Sequence, residues 1–255
     1  MTGPQTKTIV LIGDVHDERD RLERSLALLG DCRPDLVLLT GDIGQDPPWH
    51  RAQRRTQRTE HDESVRGVVG RVRSVCDCPV VFVPGNHDLD DPPADVGAIN
   101  ADRRIVEIAG LRIAGFGGAG PTRFGFPYEW SEEEAELALG KLFADEDRVD
   151  IFLSHSPPVA TTLDRTAHGS AVGSTAVKSW IGRARPKLFV CGHIHEARGI
   201  EDLGGVPCVN AGALGEPYGC EIVWVVDWED GPARIRSSCR EAAGDVEQRV
   251  WWRRP

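Results

Sequence analysis

The residues of this sequence that could do chemistry follow short apolar runs. Six such runs end in a small residue and then in a side chain with a metal-ligating or proton-transferring atom. Imidazole and carboxylate groups together suit first-row transition ions such as Mn²⁺, Fe, Zn²⁺ or Co²⁺, so the set predicts a metal site. Its members are Asp14, His16, Asp42, Asn86, His87, Asp88, His155, His193, His195 and Asn210.

Spacing within the set supports convergence on one place. In Asp14-Val15-His16 and in His193-Ile194-His195, two ligand-competent side chains stand two residues apart. On an extended segment such side chains point the same way, so that both can reach one small region. Glycine before these groups lets the backbone turn sharply and bring the side chains inward. The glycines concerned are Gly13, Gly41, Gly85 and Gly192.

The elements that must position these residues are short buried strands alternating with helices. Apolar, β-branched runs predict strands at 8–12, 36–39, 80–83, 149–153, 188–191 and 206–209. Helical spacing of apolar residues predicts helices at 18–29, 64–75 and 171–181, and a capping box of Ser131 with Glu134 begins another. This alternation indicates an α/β fold. In open α/β sheets ligands bind at the carboxyl ends of strands, where every polar group above stands.

Later strands add antiparallel character. Residues 104–108 and 111–116 read as a hairpin, and 221–228, 233–238 and 246–251 as closing strands. A mixed sheet, or two sheets packed together, accommodates both kinds of pairing. Trp251 and Trp252 then either pack on the sheet or form a self-association surface.

Composition limits the remaining possibilities. The chain has 255 residues, no internal repeat and no low-complexity linker, so we expect a single domain over 1–255, with 46–62 as a lid or insertion. Its net charge of −10 disfavours nucleic acid as a partner. No apolar run is long enough to span a membrane, and the first residues lack a signal-peptide pattern. Seven scattered cysteines favour a reducing compartment, so we expect a cytoplasmic protein.

Five motifs occur in the order found in the calcineurin-like metallophosphoesterase superfamily, which the sequence resembles from residue 9 to about 212. The stretch from Ser154 to Glu196 looks like the Icc-related predicted phosphoesterases. The motifs are Asp14-Val15-His16, Gly41-Asp42, Gly85-Asn86-His87-Asp88, His155 and Gly192-His193-Ile194-His195.

The resemblance implies a four-layer αββα sandwich of two mixed β-sheets flanked by helices, with two divalent metal ions. Manganese comes first among the expected metals, with iron, zinc, nickel or cobalt as alternatives. By the resemblance, His87 is a general acid oriented by Asp88, and Asn210 lines the site. One metal is expected on Asp14, His16 and His195, the other on Asn86, His155 and His193, with Asp42 bridging both.

The charge and the reactivity of two divalent ions fit a site that binds and hydrolyses a phosphate ester. Two divalent ions carry four positive charges and the two carboxylates remove two, which leaves charge to attract a phosphate ester. Ions about 3.5–4 Å apart can share a hydroxide as nucleophile, and His87 can protonate the leaving alkoxide. We therefore expect hydrolysis of a small phosphomonoester or phosphodiester. The alternative is a catalytically silent metal-binding scaffold or protein-interaction module on the same fold.

Other polar residues are open to two interpretations. His168 and Arg165 lie in a Gly/Ser-rich loop and either touch substrate or are spare polar residues of that loop. The basic run 51–58 either steers a polyphosphate or nucleotide substrate or forms a solvated helix face. His50 and His61 are expected at the surface, and a homo-oligomer is left open.

Overall fold

The computed structural model describes residues 6–47, 54–144, 148–240 and 245–254. Within these ranges the chain forms thirteen strands and four α-helices. None of these helices is long and apolar enough to cross a membrane. In chain order the elements are β1 (Lys7–Ile12), α1 (Arg19–Ala27), β2 (Leu36–Leu39), α2 (Arg54–Cys76), β3 (Val80–Phe82), β4 (Ile99–Asn100), β5 (Arg104–Ile108), β6 (Leu111–Phe116), α3 (Glu132–Leu142), β7 (Ile151–Ser154), α4 (Thr175–Ala184), β8 (Leu188–Cys191), β9 (Gly199–Asp202), β10 (Pro207–Asn210), β11 (Ile222–Trp228), β12 (Pro232–Arg240) and β13 (Val246–Arg253).

The strands pair into two sheets. One has the order β13-β12-β11-β1-β2-β3-β4 and the other the order β5-β6-β7-β8-β10-β9. Strands β1 to β4 run parallel, and so do β6, β7, β8 and β10. Antiparallel strands complete both sheets, namely β11 to β13 in the first and β5 and β9 at the edges of the second. Both sheets are therefore mixed.

Alternation along the strands builds two cores. In β7, Ile151 and Leu153 face the core between the two sheets, whereas Phe152 faces a second core. That second core also contains Leu139 of α3 and Ile181 of α4. Successive side chains of a strand point to opposite faces, so a sheet that is buried on both faces needs apolar residues at every position. The predicted four-layer sandwich of two mixed sheets flanked by helices is confirmed.

Most of the local features predicted from the sequence are present in the structure. The predicted hairpin is β5 paired with β6, and Ser131 and Glu134 form the capping box of α3. Helix α4 begins at Thr175 rather than 171, because the Ser174 side chain caps it by accepting from the Val177 N–H. Trp251 packs on the sheet, 5.3 Å from the Trp224 ring centroid.

The start of α2 differs from its prediction. The helix begins at Arg54, ten residues before the predicted start at 64, and takes in the end of the predicted lid. Its first turns bury polar side chains, Gln57 and His61, so that apolar periodicity gives no sign of them. Arg58 of the basic run pairs with Asp91 at 3.0 Å. Residues 48–53, with His50 and the first part of that run, lie outside the described ranges.

Candidate metal centre

Parallel strands of both sheets deliver the predicted ligands to one place. Residues 14 and 16 follow β1, residue 42 follows β2, and residues 86 and 87 follow β3. Residues 155, 193 and 195 follow β7 and β8 of the other sheet. Backbone hydrogen bonds tie these loops together, since the His16 N–H donates to the Asp42 carbonyl at 2.8 Å and the Gly192 N–H donates to the His155 carbonyl at 3.1 Å. The candidate site therefore lies on the seam between the sheets.

Left-handed backbone conformations orient several of the candidate ligand side chains. Asp14, His16, Asp42 and His193 have φ values of 26°, 49°, 47° and 69°. This left-handed region is sparsely used by residues other than glycine, and such residues cluster at functional sites. Gly85 is needed for a different reason: a Cβ there would lie far inside van der Waals contact with Oδ1 of Asp42.

The first cluster of ligand atoms contains His16, His195 and Asp42. The Nε2 atoms of the two histidines lie 3.3 Å apart. Asp42 Oδ2 is 3.6 Å from Nε2 of His16, and Asp14 Oδ2 is 3.5 Å from Nε2 of His195. His195 donates its Nδ1 proton to the Pro217 carbonyl at 2.8 Å, so in the neutral ring Nε2 carries a lone pair. Lone pairs that converge in this way need a proton or a metal ion between them.

The second cluster contains His155, His193 and again Asp42. His155 donates from Nδ1 to the Thr40 carbonyl at 2.8 Å, which turns Nε2 toward Asn86 Oδ1 at 2.9 Å and Asp42 Oδ2 at 3.4 Å. Three acceptor atoms again face one another. Asp42 belongs to both clusters, which is the position of a bridging ligand.

Charges in the site are strongly coupled. Burial lowers the pKa of His155, but Asp42 and Asp14 outweigh it and raise that pKa to about 9. The pKa of His16 also rises to about 9, because Asp46 and Asp42 outweigh its burial. Burial and the nearby His155 charge lower the pKa of His193 to about 3. Two of the histidines therefore bind protons tightly when no metal competes.

The net pKa shifts of the two carboxylates have opposite directions. Burial raises the pKa of Asp14 above its ordinary value. Burial also acts to raise the pKa of Asp42, but His155, His87 and His16 outweigh it and hold this pKa well below its usual range. The shared carboxylate is consequently a stable anion.

His87 stands beside the clusters and is held by Asp46. Its Nδ1 lies 2.7 Å from Asp46 Oδ2, and the same oxygen is 3.3 Å from Nδ1 of His16. Burial acts to raise the pKa of Asp46, but hydrogen bonds from His16 and His87 lower it to about 2. With Nδ1 held by Asp46, Nε2 is the ring nitrogen of His87 that remains for other contacts. Asp46 is not among the site residues predicted from the sequence.

The expectation that Asp88 orients His87 is wrong. The buried Asp88 carboxylate accepts from the backbone N–H groups of Gly85 at 2.8 Å, Ile43 at 3.1 Å and Gly44 at 3.2 Å. Nε2 of His61 is 3.4 Å away. Asp88 thus stabilises the turns that carry the ligands. His61 is also not at the surface as expected, since it is 1% exposed.

Asn210, which was expected to line the site, uses its side chain within the fold. Its Nδ2 donates to the carbonyls of Leu163 at 2.9 Å and Ile194 at 3.1 Å, while its Oδ1 accepts from the Gly212 N–H at 2.8 Å. The side chain is fully buried and its hydrogen-bonding atoms are used by the backbone. The Asn210 side chain therefore fixes loops, and the role of this residue toward substrate stays a prediction.

His168 and Arg165 lie on an exposed loop. Arg165 donates to the Gly169 carbonyl at 3.2 Å, within the loop itself. The loop is fastened beside the site by the Ala167 N–H, which donates to Glu196 at 2.6 Å, next to His195. No contact among the described residues joins either side chain to the two clusters. Their role toward substrate stays a prediction.

The sandwich fold with clustered histidines and aspartates defines a metal-binding α/β protein. The model of the calcineurin-like phosphoesterase family matches residues 7–197, and the chain belongs to this family.

A curated relative and two solved structures are similar to this chain. An uncharacterized protein of Methanocaldococcus jannaschii, MJ1162, is 33% identical over 141 residues, which are 51% of this chain and 62% of that protein. The chain thus matches less than two thirds of the length of this curated relative. The crystal structure of TT1561 of Thermus thermophilus has a TM-score of 0.63 at 19% identity, over 97% of this chain and 100% of that chain. A further crystal structure has a TM-score of 0.65 at 17% identity, with the same coverage. Both structures show a shared fold.

Gly85→Ala should weaken metal binding by at least about tenfold, because the added methyl displaces the Asp42 carboxylate. Titration with Mn²⁺, followed by metal analysis of the dialysed protein, measures this. The matched control is Gly70→Ala in α2, where a Cβ meets nothing within 4 Å. That variant should bind metal normally and gain about 0.5–1 kcal/mol of stability. Equal metal affinity in both variants would contradict the assignment of Asp42.

Metal binding should release about two protons per chain at pH 7, one each from His16 and His155, because metal ligands must be deprotonated. Their pKa values near 9 make them protonated below that pH, while His193 with its pKa near 3 is already neutral. Affinity for Mn²⁺ should therefore rise with pH and level off above about 9. Calorimetry in buffers of different ionisation enthalpy counts the protons. A count near zero at pH 7 would contradict the assignment of these two ligands.

Proposed function

We propose that this protein hydrolyses an ester of phosphate with the help of two divalent metal ions. The observation that carries the proposal is the pair of histidine–aspartate clusters that share the Asp42 carboxylate. In this proposal one ion is held by Asp14, His16 and His195 with Asp42. The other is held by Asn86, His155 and His193 with Asp42.

The donor set fits such ions. Ring nitrogens of His16, His195 and His155 lie within 3.6 Å of one another or of a carboxylate. A metal ion that replaces their protons would satisfy this convergence. Mixed nitrogen and oxygen donors suit first-row transition ions. The family resemblance puts manganese first, with iron, zinc, nickel or cobalt as alternatives. Ions held there would supply the Lewis acidity and the positive charge that phosphoryl transfer needs.

The protein itself contributes proton transfer. Asp46 holds Nδ1 of His87, so Nε2 is the ring nitrogen that would meet a substrate. Burial acts to lower the pKa of His87, but the Asp42 charge and the hydrogen bond that His87 donates to Asp46 outweigh it and raise this pKa, which favours the protonated ring. A positioned imidazolium can give its proton to the leaving oxygen as the P–O bond breaks. Asp46 is the positioning residue for this step.

The substrate in this proposal is small and phosphorylated, either a monoester or a diester. The net charge of −10 disfavours nucleic acid. All seven cysteines are free thiols, which supports a reducing compartment such as the cytoplasm.

Chromogenic mono- and diesters, assayed with Mn²⁺ and after chelation, test the proposal. Asp42→Asn should lower metal-dependent turnover by about 10²–10³-fold, because it removes the charge shared by both clusters. Asp31→Asn, an exposed aspartate, is the matched control and should retain full activity. Two bound metals without turnover of either ester would favour the alternative of a catalytically silent scaffold. A wild-type protein that binds no metal would overturn the proposal.

Asp46→Asn and His87→Ala should slow the hydrolysis of alkyl esters by about 10²-fold and that of 4-nitrophenyl esters far less. A poor leaving group depends on general-acid catalysis, whereas 4-nitrophenolate leaves without a proton. The matched control is Asp95→Asn, an exposed aspartate that pairs with Arg66 at 2.8 Å. Equal losses on both kinds of ester would show that His87 does not protonate the leaving group.

A further inference from the structure

A groove of about 540 Å³ lies beside His87. One wall comes from the start of α2, and the others come from the loop after β3 and the loop before α3. The side chains that define its character are Arg55, Arg58, Leu89, Asp90, Asp91 and Phe126. We call it the Phe126 groove.

The groove is connected to the proposed proton donor. The Phe126 ring stacks on the His87 imidazole with 3.8 Å between centroids and 27° between planes. A leaving group that His87 protonates would thus lie close to Phe126, a side chain that lines the groove. Leu89, two residues after His87, continues the same wall.

The surface around the groove is aromatic. Phe124 is 67% exposed, and its ring centroid lies 5.6 Å from that of Phe126. The Arg123 guanidinium covers Phe124 at 4.9 Å. Exposed phenyl rings beside a polar centre offer stacking to a planar ring, which is a sequence-tolerant way of holding a nucleobase.

Charges in the groove are balanced. Two arginines face two aspartates in its lining, and Arg58 is already paired with Asp91 at 3.0 Å and with Asp62 at 3.6 Å. An uncharged group fits this surface better than a polyphosphate does. The Arg55 guanidinium has no hydrogen-bond or ion-pair partner within the described ranges, and Asp90 is exposed. A donor and an acceptor are thus free for the edge of a heteroaromatic ring.

We propose that the Phe126 groove binds the leaving group of the reaction and that this leaving group is a nucleoside. A nucleoside is uncharged, carries a planar ring for the phenyl groups, and has hydrogen-bonding edges for Arg55 and Asp90. The inference rests on the function proposed above, because His87 as proton donor is what directs the leaving group into the groove.

The test uses matched esters that differ only in the base. Adenosine 5′-phosphate and ribose 5-phosphate release the same primary hydroxyl, and their methyl diesters form a second pair for a diesterase. The comparison is made in the wild type with Mn²⁺, within whichever pair is hydrolysed. There kcat/KM should be at least about tenfold higher for the adenosine ester, because about 1.4 kcal/mol of stacking corresponds to this factor. Phe126→Leu, Phe124→Ala and Arg55→Ala should each bring this ratio toward one.

Two controls distinguish a loss of base recognition from a loss of catalysis. Phe126→Leu also touches His87, but a disturbed His87 would slow both members equally and leave the ratio unchanged. Leu137→Ala, at an exposed position of α3 away from the groove, should keep the wild-type ratio.

Binding gives a second readout. Phosphonate analogues of the two monoesters, with methylene in place of the bridging oxygen, are titrated calorimetrically into the wild type with Mn²⁺. The adenosine analogue should bind at least about tenfold more tightly, and Phe126→Leu should abolish the difference. Equal binding of the two analogues and equal kcat/KM within a pair would overturn the groove proposal while leaving a phosphoesterase. Failure to hydrolyse any of the four esters or the chromogenic esters would instead overturn the proposed function, and the calorimetry would still decide the groove.

Discussion

The buried carboxylate of Asp42 is the constraint on which the rest of the site depends. It is 1% exposed, and a charge so far from water must be balanced by hydrogen bonds and by positive charge. The backbone N–H of His87 supplies the hydrogen bond at 2.9 Å, and His155 and His16 surround the other oxygen. The turns after β1, β3 and β7 all bring a group to this one anion.

The sandwich makes that arrangement rigid. Ligands that follow β1, β2 and β3 come from one sheet, and those that follow β7 and β8 come from the other. The sheets are held together by a shared apolar core that includes Leu38, Val81, Leu153 and Val190. The distance between the two halves of the site is therefore set by side-chain packing, which tolerates little change. A core of this kind can hold ligand atoms in place before any ligand is bound.

The sequence allowed most of the fold to be predicted, because β1, β2, β3, β7 and β8 are apolar runs that end close to a glycine or another small residue. Contacts between distant segments were harder to foresee. Asp88 stands next to His87 in sequence, but the turn points its carboxylate at backbone N–H groups. The actual partner, Asp46, is 41 residues away from His87, and no local pattern marks that pairing. His61 was placed at the surface because a buried polar helix face gives no apolar period.

The left-handed backbone at Asp14, His16, Asp42 and His193 has a consequence for how this protein can change. Non-glycine residues held in such conformations each cost of order 1–3 kcal/mol of stability. Glycine at these positions would relieve the strain and remove a proposed metal ligand, so selection for stability alone would erode the candidate site. Apolar packing in the two cores stabilises the fold and offsets this cost. Preorganisation of the site and thermal robustness therefore oppose each other in this chain.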